Sequence, residues 1–305
     1  MANEWDAEVE MTPEWACRVI DAQFPELAPS TATAIGVGWD NTAFDVNGEF
    51  VFRFLRREAA LLGFNAEMAV LPSLAPRMPI PIPNPQYSGQ PGDGYPFPFM
   101  GYPKVAGCTA DSAALNDNQR AESAEGLGVF LKALHSIEAE EAASMGVVAD
   151  FQGKADTAYH APRMGPYLRS LADKCAFESP ERYDWILDGA ADLKHHRSTL
   201  LHGDLYVRHV VVDEGGVFCG VIDWGDVCYG DPAAGLCIAH TFLPPTAHAT
   251  FRKAYGDIDD DTWRIARFRA LAYAAMLHDY GHDRGDADLL REGKTILRFL
   301  EIGRE

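Results

Sequence analysis

Two short runs of residues place chemistry-bearing side chains at a telling distance. His202-Gly203-Asp204 comes first, and Val221-Ile222-Asp223 follows after the segment LYVRHVVVDEGGVFCG. Inside that segment Gly215-Gly216 separates two apolar stretches, the pattern of a strand, a tight turn and a second strand. A hairpin brings its outer ends side by side. Asp204, in the loop before the first strand, and Asp223, at the end of the second, are therefore expected to face one cleft. Two carboxylates held that way suit phosphoryl transfer. One orients a substrate hydroxyl and accepts its proton, and the other holds a divalent cation against nucleotide phosphates. Each tripeptide alone reads as an ordinary loop or strand end; the spacing with a hairpin between them favours the joint role.

The same residues resemble the catalytic and metal-binding segments of the aminoglycoside and macrolide phosphotransferases, the protein-kinase-like antibiotic kinases. That family's pattern is His-x-Asp, a metal-binding Asn five residues on, a hairpin and an Asp. His202, Asp204 and Asp223 match it, and His209 stands at the Asn position. The resemblance implies Asp204 as catalytic base, with His202 bracing the catalytic loop. It implies Asp223 and His209 as ligands of Mg2+, with ATP or GTP as phosphate donor. A carboxylate is a weak base for an alcohol, so positioning is the larger part of its contribution. Imidazole is a poorer magnesium ligand than an Asn carbonyl. Some members of the family carry His here, and binding through water stays open alongside direct ligation.

On the strand Phe50–Leu55, Val51, Arg53 and Leu55 share one face. A lone cation on an apolar strand is costly to bury unless paired. Glu67, on the following helix, is the candidate partner. This resembles the kinase pair of strand Lys and helix Glu, with Arg in place of Lys; Arg can still take phosphate bidentately. An exposed edge position beside Arg56 and Arg57 is the alternative. Gly36 and Gly38 lie between the first two strands, where glycine lets backbone amides approach a phosphate; an ordinary hairpin turn reads equally well. Phe97–Tyr102 falls where the family's interlobe hinge runs, which implies purine contacts from the Met100 and Tyr102 backbones. Nothing here separates ATP from GTP.

These parts need a frame. Residues 31–56 carry strand signals with an Asn47-Gly48 turn, the strongest short hairpin signal. A helix is expected over 57–74, extended proline-rich chain over 72–98, and helices over 117–138, 182–197, 261–280 and 286–302, after a short helical lead-in within 1–30. The order predicts an α+β, two-lobed protein-kinase-like fold. Residues 1–100 would form a small β-rich N-terminal lobe, 101–106 the hinge, and 107–305 a larger, mostly helical lobe with the catalytic loop, metal site and acceptor pocket.

The composition is that of an ordinary globular enzyme: 305 residues, 47% hydrophobic and 23% charged. Six cysteines without a CxxC pair argue against a zinc cluster and for free thiols. No apolar run is expected to span a membrane and no signal core opens the chain, which points to the cytoplasm. A net charge of −19 argues against a nucleic-acid partner. It is either a solvated surface charge or an acidic cleft that attracts a cationic, hydroxylated small molecule. Asp226 and Asp279 are the candidate acceptor-binding acids. Asp259-Asp260-Asp261 reads better as a helix start, and Asp231 before Pro232 as a turn and cap. Phe268, Leu271, Tyr273, Met276 and Leu277 read more as core than as the apolar pocket wall a macrolide needs. The expected activity is transfer of the γ-phosphate to a hydroxyl of a macrolide or aminoglycoside. The alternatives are a metabolic small-alcohol kinase of the same fold and a non-catalytic kinase-like binding protein.

Overall fold

The computed structural model describes residues 7–175, 177 and 179–304, without the Cys175 side chain. The first six residues of the acidic lead-in and the state of the Cys175 thiol lie outside the described residues. The chain divides into two compact units. One comprises residues 1–77, 81–105 and 223–225; the other comprises 78–80, 106–222 and 226–305.

The first unit opens with α1 (Pro13–Gln23). Proline sits in its first turn, and the Thr12 hydroxyl accepts the Trp15 N–H. Five antiparallel strands follow: β1 (Ala32–Val37), β2 (Asn41–Val46), β3 (Phe50–Leu55), β4 (Tyr87–Gly89) and β5 (Phe99–Pro103). Their order is β1-β2-β3-β5-β4. Asn47 and Gly48 both adopt positive φ, as a type I′ hairpin demands. Phe44, Phe52, Phe54 and Phe99 are fully buried, with Phe54 and Phe99 stacked at 4.7 Å. β5 runs through Pro103, so strand occupies the first half of the segment expected to be hinge.

Between β3 and β4 lies α2 (Leu61–Leu74). The stretch Glu58–Arg77 does reach the length and apolarity of a membrane span, contrary to the sequence expectation. Inside it Glu67 is buried against Arg53 and Gly63 packs on the Gly225 backbone, as in a core helix.

The second unit holds two small sheets. β6 (Cys108–Thr109), β8 (Val210–Val212) and β9 (Phe218–Val221) form one, and β7 (Thr199–Leu201) with β10 (Cys228–Gly230) the other. The Gly-Gly hairpin is present between β8 and β9. Gly216 takes φ +81 at its turn, and the Asp213 carboxylate accepts the Gly215 and Val217 N–H groups. The helices are α3 (Asp117–Glu122), α4 (Ala124–Leu134), α5 (Ala139–Ser144), α6 (Thr157–Cys175), α7 (Asp184–Leu187), α8 (Ala233–Leu236), α9 (Ile238–Thr241), α10 (His248–Tyr255), α11 (Asp260–Arg284) and α12 (Ala287–Ile302).

Three expectations change here. The helix over 117–138 breaks at Ser123, whose hydroxyl accepts the Phe218 N–H of β9. The helix over 182–197 shrinks to α7 with short 3-10 turns on either side. The 19-residue α6 was not foreseen because Pro162 and Pro166 sit inside it. Asp259 caps α11 through the Thr262 N–H, the helix-start role read from sequence. Asp286 caps α12. A buried ion pair joins α3 to α12: Arg120 Nη2 lies 2.9 and 2.7 Å from the two Glu292 oxygens.

Candidate active site

The second unit builds the loop that carries Asp204. At the open end of the β8–β9 hairpin, the Ile222 N–H donates to the His209 carbonyl at 3.0 Å. His202 then ties the loop to this end. Its Nε2 contacts the Ile222 carbonyl at 3.0 Å, and its Nδ1 accepts the Asp204 N–H at 3.2 Å. Serving both partners requires the neutral ring with the proton on Nε2. Such a ring braces the loop. Gly203 takes φ +87, and a Cβ there would lie 1.9 Å from the Asp226 carbonyl oxygen. Only glycine lets the loop lie this close to the chain at Asp226.

Asp204 itself is held at several points. Its carbonyl accepts from His209 Nδ1 at 2.6 Å. Its Oδ1 accepts from the Tyr273 hydroxyl of α11 at 2.9 Å, and Oδ2 lies 3.7 Å from His209 Nδ1. The carboxylate keeps about a third of its surface exposed. Sequence reading had assigned Tyr273 to the core. It is indeed buried, but its hydroxyl ends on Asp204. Burial pushes the Tyr273 phenol far above its ordinary range, and the charge of Asp204 adds to this against the pull of Arg269. The phenol therefore stays a donor. Arg269 lies over the Tyr273 ring, 4.7 Å from its centroid.

The first unit builds a separate charged cluster. Arg53 sits mid-sheet on β3, opposite Met100 of β5 and Ala43 of β2. Its Nη1 lies 2.5 Å from Glu67 Oε1, and its Nη2 lies 2.8 Å from Asp223 Oδ1. Arg53 and Glu67 are buried, whereas Asp223 is about half exposed. The exposed edge position considered for Arg53 is thereby excluded. Burial raises the Glu67 pKa, with the Arg53 charge and the Trp224 backbone N–H pulling the other way. Burial also opposes the Arg53 charge, yet Glu67, Asp223 and Tyr102 more than offset it and hold the guanidinium firmly protonated. Tyr102 lies within the field of Arg53, whose charge pulls against the burial that raises the phenol pKa, a proximity the sequence gave no sign of. Asp223 adopts φ +61, a left-handed conformation that Asp tolerates better than most residues.

The remaining expected residues fall as follows. Gly36 lies within β1 beside a register shift, and the Gly38 N–H donates to the Asn41 carbonyl at 2.8 Å. Neither glycine adopts positive φ. Met100 is flanked by Arg53 of β3 and Ser88 of β4, so its backbone faces strands on both sides. Tyr102 pairs with Val51 beyond the last β4 partner. Both expected acceptor acids already have lysine partners. Asp226 pairs with buried Lys154 at 3.3 Å. Asp279 pairs with exposed Lys174 at 2.6 Å and accepts from the Tyr167 hydroxyl at 2.9 Å. Asp231 accepts the Ala233 N–H and contacts His195, consistent with a capping role.

Among the described residues, no three His, Cys, Asp or Glu side chains converge as a metal cage. Magnesium needs none, since it is commonly held by one or two carboxylates plus substrate phosphates. The half-exposed Asp223 carboxylate is the donor of suitable hardness.

One unit is β-rich and carries a buried strand-cation and helix-Glu pair, and the other is helical and carries a His-braced Asp loop; these are the parts of the protein-kinase-like fold of the antibiotic phosphotransferases. The family model described as "Phosphotransferase enzyme family" matches residues 31–269, and the chain belongs to this family, a phosphotransferase with an alcohol group as acceptor. Among solved structures it is similar to the GDP complex of wild-type aminoglycoside 2'-phosphotransferase-IIIa, at 24% identity and a TM-score of 0.69, covering 97% of this chain and 100% of that one. It is also similar to the GDP and kanamycin complex of APH(2")-IIia, at 24% identity and 0.67, covering 94% and 97%. Macrolide 2'-phosphotransferase MphH from Brachybacterium faecium matches at 20% identity and 0.61, covering 93% and 97%. At these identities the likeness shows the fold. A shorter match, 29% identical over 66 residues, is to the uncharacterised protein YcbJ of Bacillus subtilis (strain 168) and spans 22% of that protein's length.

Proposed function

We propose that this protein moves the γ-phosphate of ATP or GTP to a hydroxyl of a small, amine-bearing molecule of the aminoglycoside or macrolide type, in the cytoplasm. The observation that carries the reading is the placement of Asp204: main chain and carboxylate are both fixed, yet the carboxylate remains partly exposed. In this role it orients the acceptor hydroxyl and takes its proton as the oxygen bonds to phosphorus. His202 holds the loop. Arg53, backed by Glu67, is assigned to the nucleotide phosphates, with Gly36 and Gly38 as lesser contributors and the chain at Met100 and Tyr102 on the purine side. Asp223 and His209 would hold Mg2+, which when bound draws charge off the phosphates. Residues 1–100 would serve the nucleotide, 101–106 act as hinge, and 107–305 serve the acceptor.

Acceptor capture is assigned to Asp279 and Asp226 by exchange. An ammonium group of the acceptor replaces Lys174 at Asp279, where both side chains are partly exposed and the ion pair is weakly held. Lys154 is buried and stays with Asp226, which leaves Asp226 the weaker cation site. The relatives that bind aminoglycosides and the macrolide phosphotransferase support both substrate classes. The test is phosphate transfer from MgATP and MgGTP to kanamycin, gentamicin, streptomycin and a macrolide. Phosphorylation of an antibiotic is the expected result. Transfer only to choline or homoserine would shift the reading to a metabolic alcohol kinase. Nucleotide binding without any transfer would make the protein a binding module.

A further inference from the structure

We propose that Tyr273 is a positioning residue for Asp204, its hydroxyl fixing which carboxylate oxygen meets the acceptor, with Arg269 behind it supplying the balancing charge. The inference rests on the reading of Asp204 as the base. An ionised carboxylate can only accept hydrogen bonds, and Tyr273 donates to Oδ1 at 2.9 Å. Oδ2 makes no hydrogen bond among the described residues; His209 Nδ1 is 3.7 Å away and engaged by the Asp204 carbonyl. The two oxygens are therefore unequal. Oδ1 is committed to the protein, and Oδ2 is left to the acceptor. As the acceptor oxygen bonds to phosphorus and the nucleoside diphosphate leaves, the acceptor O–H bond breaks and its proton passes to Oδ2.

The wall that fixes Tyr273 is itself made from the catalytic loop. The Tyr273 ring stacks on Tyr206 at 5.9 Å and 17°, and Tyr206 meets His209 edge-on at 4.6 Å. His209 in turn holds the Asp204 carbonyl. The loop and α11 thus grip the main chain of Asp204 through His209 and its carboxylate through Tyr273. Arg269, one helical turn before Tyr273, is partly buried, and its Nε is fully buried with no hydrogen-bond partner. Burial works against its charge, but Tyr273, Cys237 and Asp204 raise its pKa overall. No carboxylate forms an ion pair with it among the described residues; Asp204, reached through Tyr273, is the negative charge it senses.

Tyr273→Phe keeps the ring and its stack and removes only the donor. Turnover with MgATP and MgGTP is measured by nucleoside diphosphate release, with water alone and with kanamycin, gentamicin, streptomycin and a macrolide as acceptors. The variants are Tyr273→Phe, Arg269→Met, Asp204→Asn and the two doubles with Asp204→Asn, with melting temperatures recorded throughout. In Tyr273→Phe the expected result is a kcat lower by about 10- to 100-fold, the scale of a misaligned reacting group. KM for nucleotide and acceptor should stay unchanged, and nothing more should be lost in the Asp204→Asn background. Arg269→Met should follow the same pattern more weakly. If the wild type turns over on no probe, or Asp204→Asn keeps wild-type turnover, the reading of Asp204 fails and this inference falls with it. If Asp204→Asn is impaired while Tyr273→Phe keeps full kcat, Asp204 stands and the role of Tyr273 is overturned. A Tyr273→Phe loss that appears only in KM, or persists undiminished without the Asp204 charge, overturns it as well.

Discussion

Replacing Arg53 with methionine isolates one buried charge. Glu67 is 1% exposed and Arg53 6%, and their contact is 2.5 Å. Methionine fills much the same space and leaves Glu67 without its cation. Breaking a buried pair from one side costs about 3–5 kcal/mol, because the remaining charge is stranded. Glu67 has a way out, since burial already raises its pKa and loss of Arg53 removes the main opposing pull. In the variant the folded state therefore favours the protonated acid over a wide range, whereas the unfolded chain ionises near pH 4.3. The neutral form is the one that folds well. The variant is accordingly closest to wild type below about pH 4. Above that it loses about 1.4 kcal/mol per pH unit, until the folded pKa is passed or the carboxylate finds another partner. The total loss is bounded by the range for a broken buried pair. The assay is urea unfolding of variant and wild type at pH 5, 6.5 and 8 without nucleotide, taking the difference at each pH so that other titrations cancel. Arg53→Met/Glu67→Gln should recover most of the loss at pH 8. A deficit equal at all three pH values, or one that grows on acidification, would refute this account of the Glu67 charge.

Asp204→Asn should melt near wild type and lower turnover by roughly 100-fold or more, the scale of a positioned base; wild-type turnover would sink the assignment. Asp223→Ala should abolish the magnesium enhancement of nucleotide affinity in calorimetric titrations with and without MgCl2, and retention of the full enhancement would remove it as a ligand. His209→Ala should weaken that enhancement less but also slow turnover, because its Nδ1 holds the Asp204 carbonyl. Lys174→Met should lower KM for kanamycin, most clearly at low salt, since it frees Asp279 from a competing ammonium; an unchanged or raised KM would move acceptor capture elsewhere. Gly203→Ala should destabilise the protein by more than about 1 kcal/mol in urea, because alanine is strained at positive φ and its Cβ meets the Asp226 carbonyl. A stable, active Gly203→Ala variant would contradict the packing of the catalytic loop.

Much of the candidate site was legible because its parts are local. His202 and Asp204 are two residues apart, and a Gly-Gly turn between two apolar runs sets the hairpin that leads to Asp223. Arg53 and Glu67 lie on consecutive elements, and a cation on an apolar strand needs a nearby acid. Periodicity likewise marked α11 and α12, though it could not find α6, whose prolines contradict helix propensity and are outweighed by packing. Other features have no local signature. Tyr273 stands 69 residues from Asp204 among apolar neighbours, and nothing in that pattern distinguishes a core ring from one whose hydroxyl ends on a carboxylate. Lys154 and Lys174 lie 72 and 105 residues from the acids they neutralise, so the sequence counts charges but cannot pair them. Element order and motif spacing, with the family resemblance they carry, thus gave the expected fold class and singled out candidate carboxylates. The tertiary structure alone decided what each carboxylate touches, because those partners are set by the packing of helices far apart in the chain.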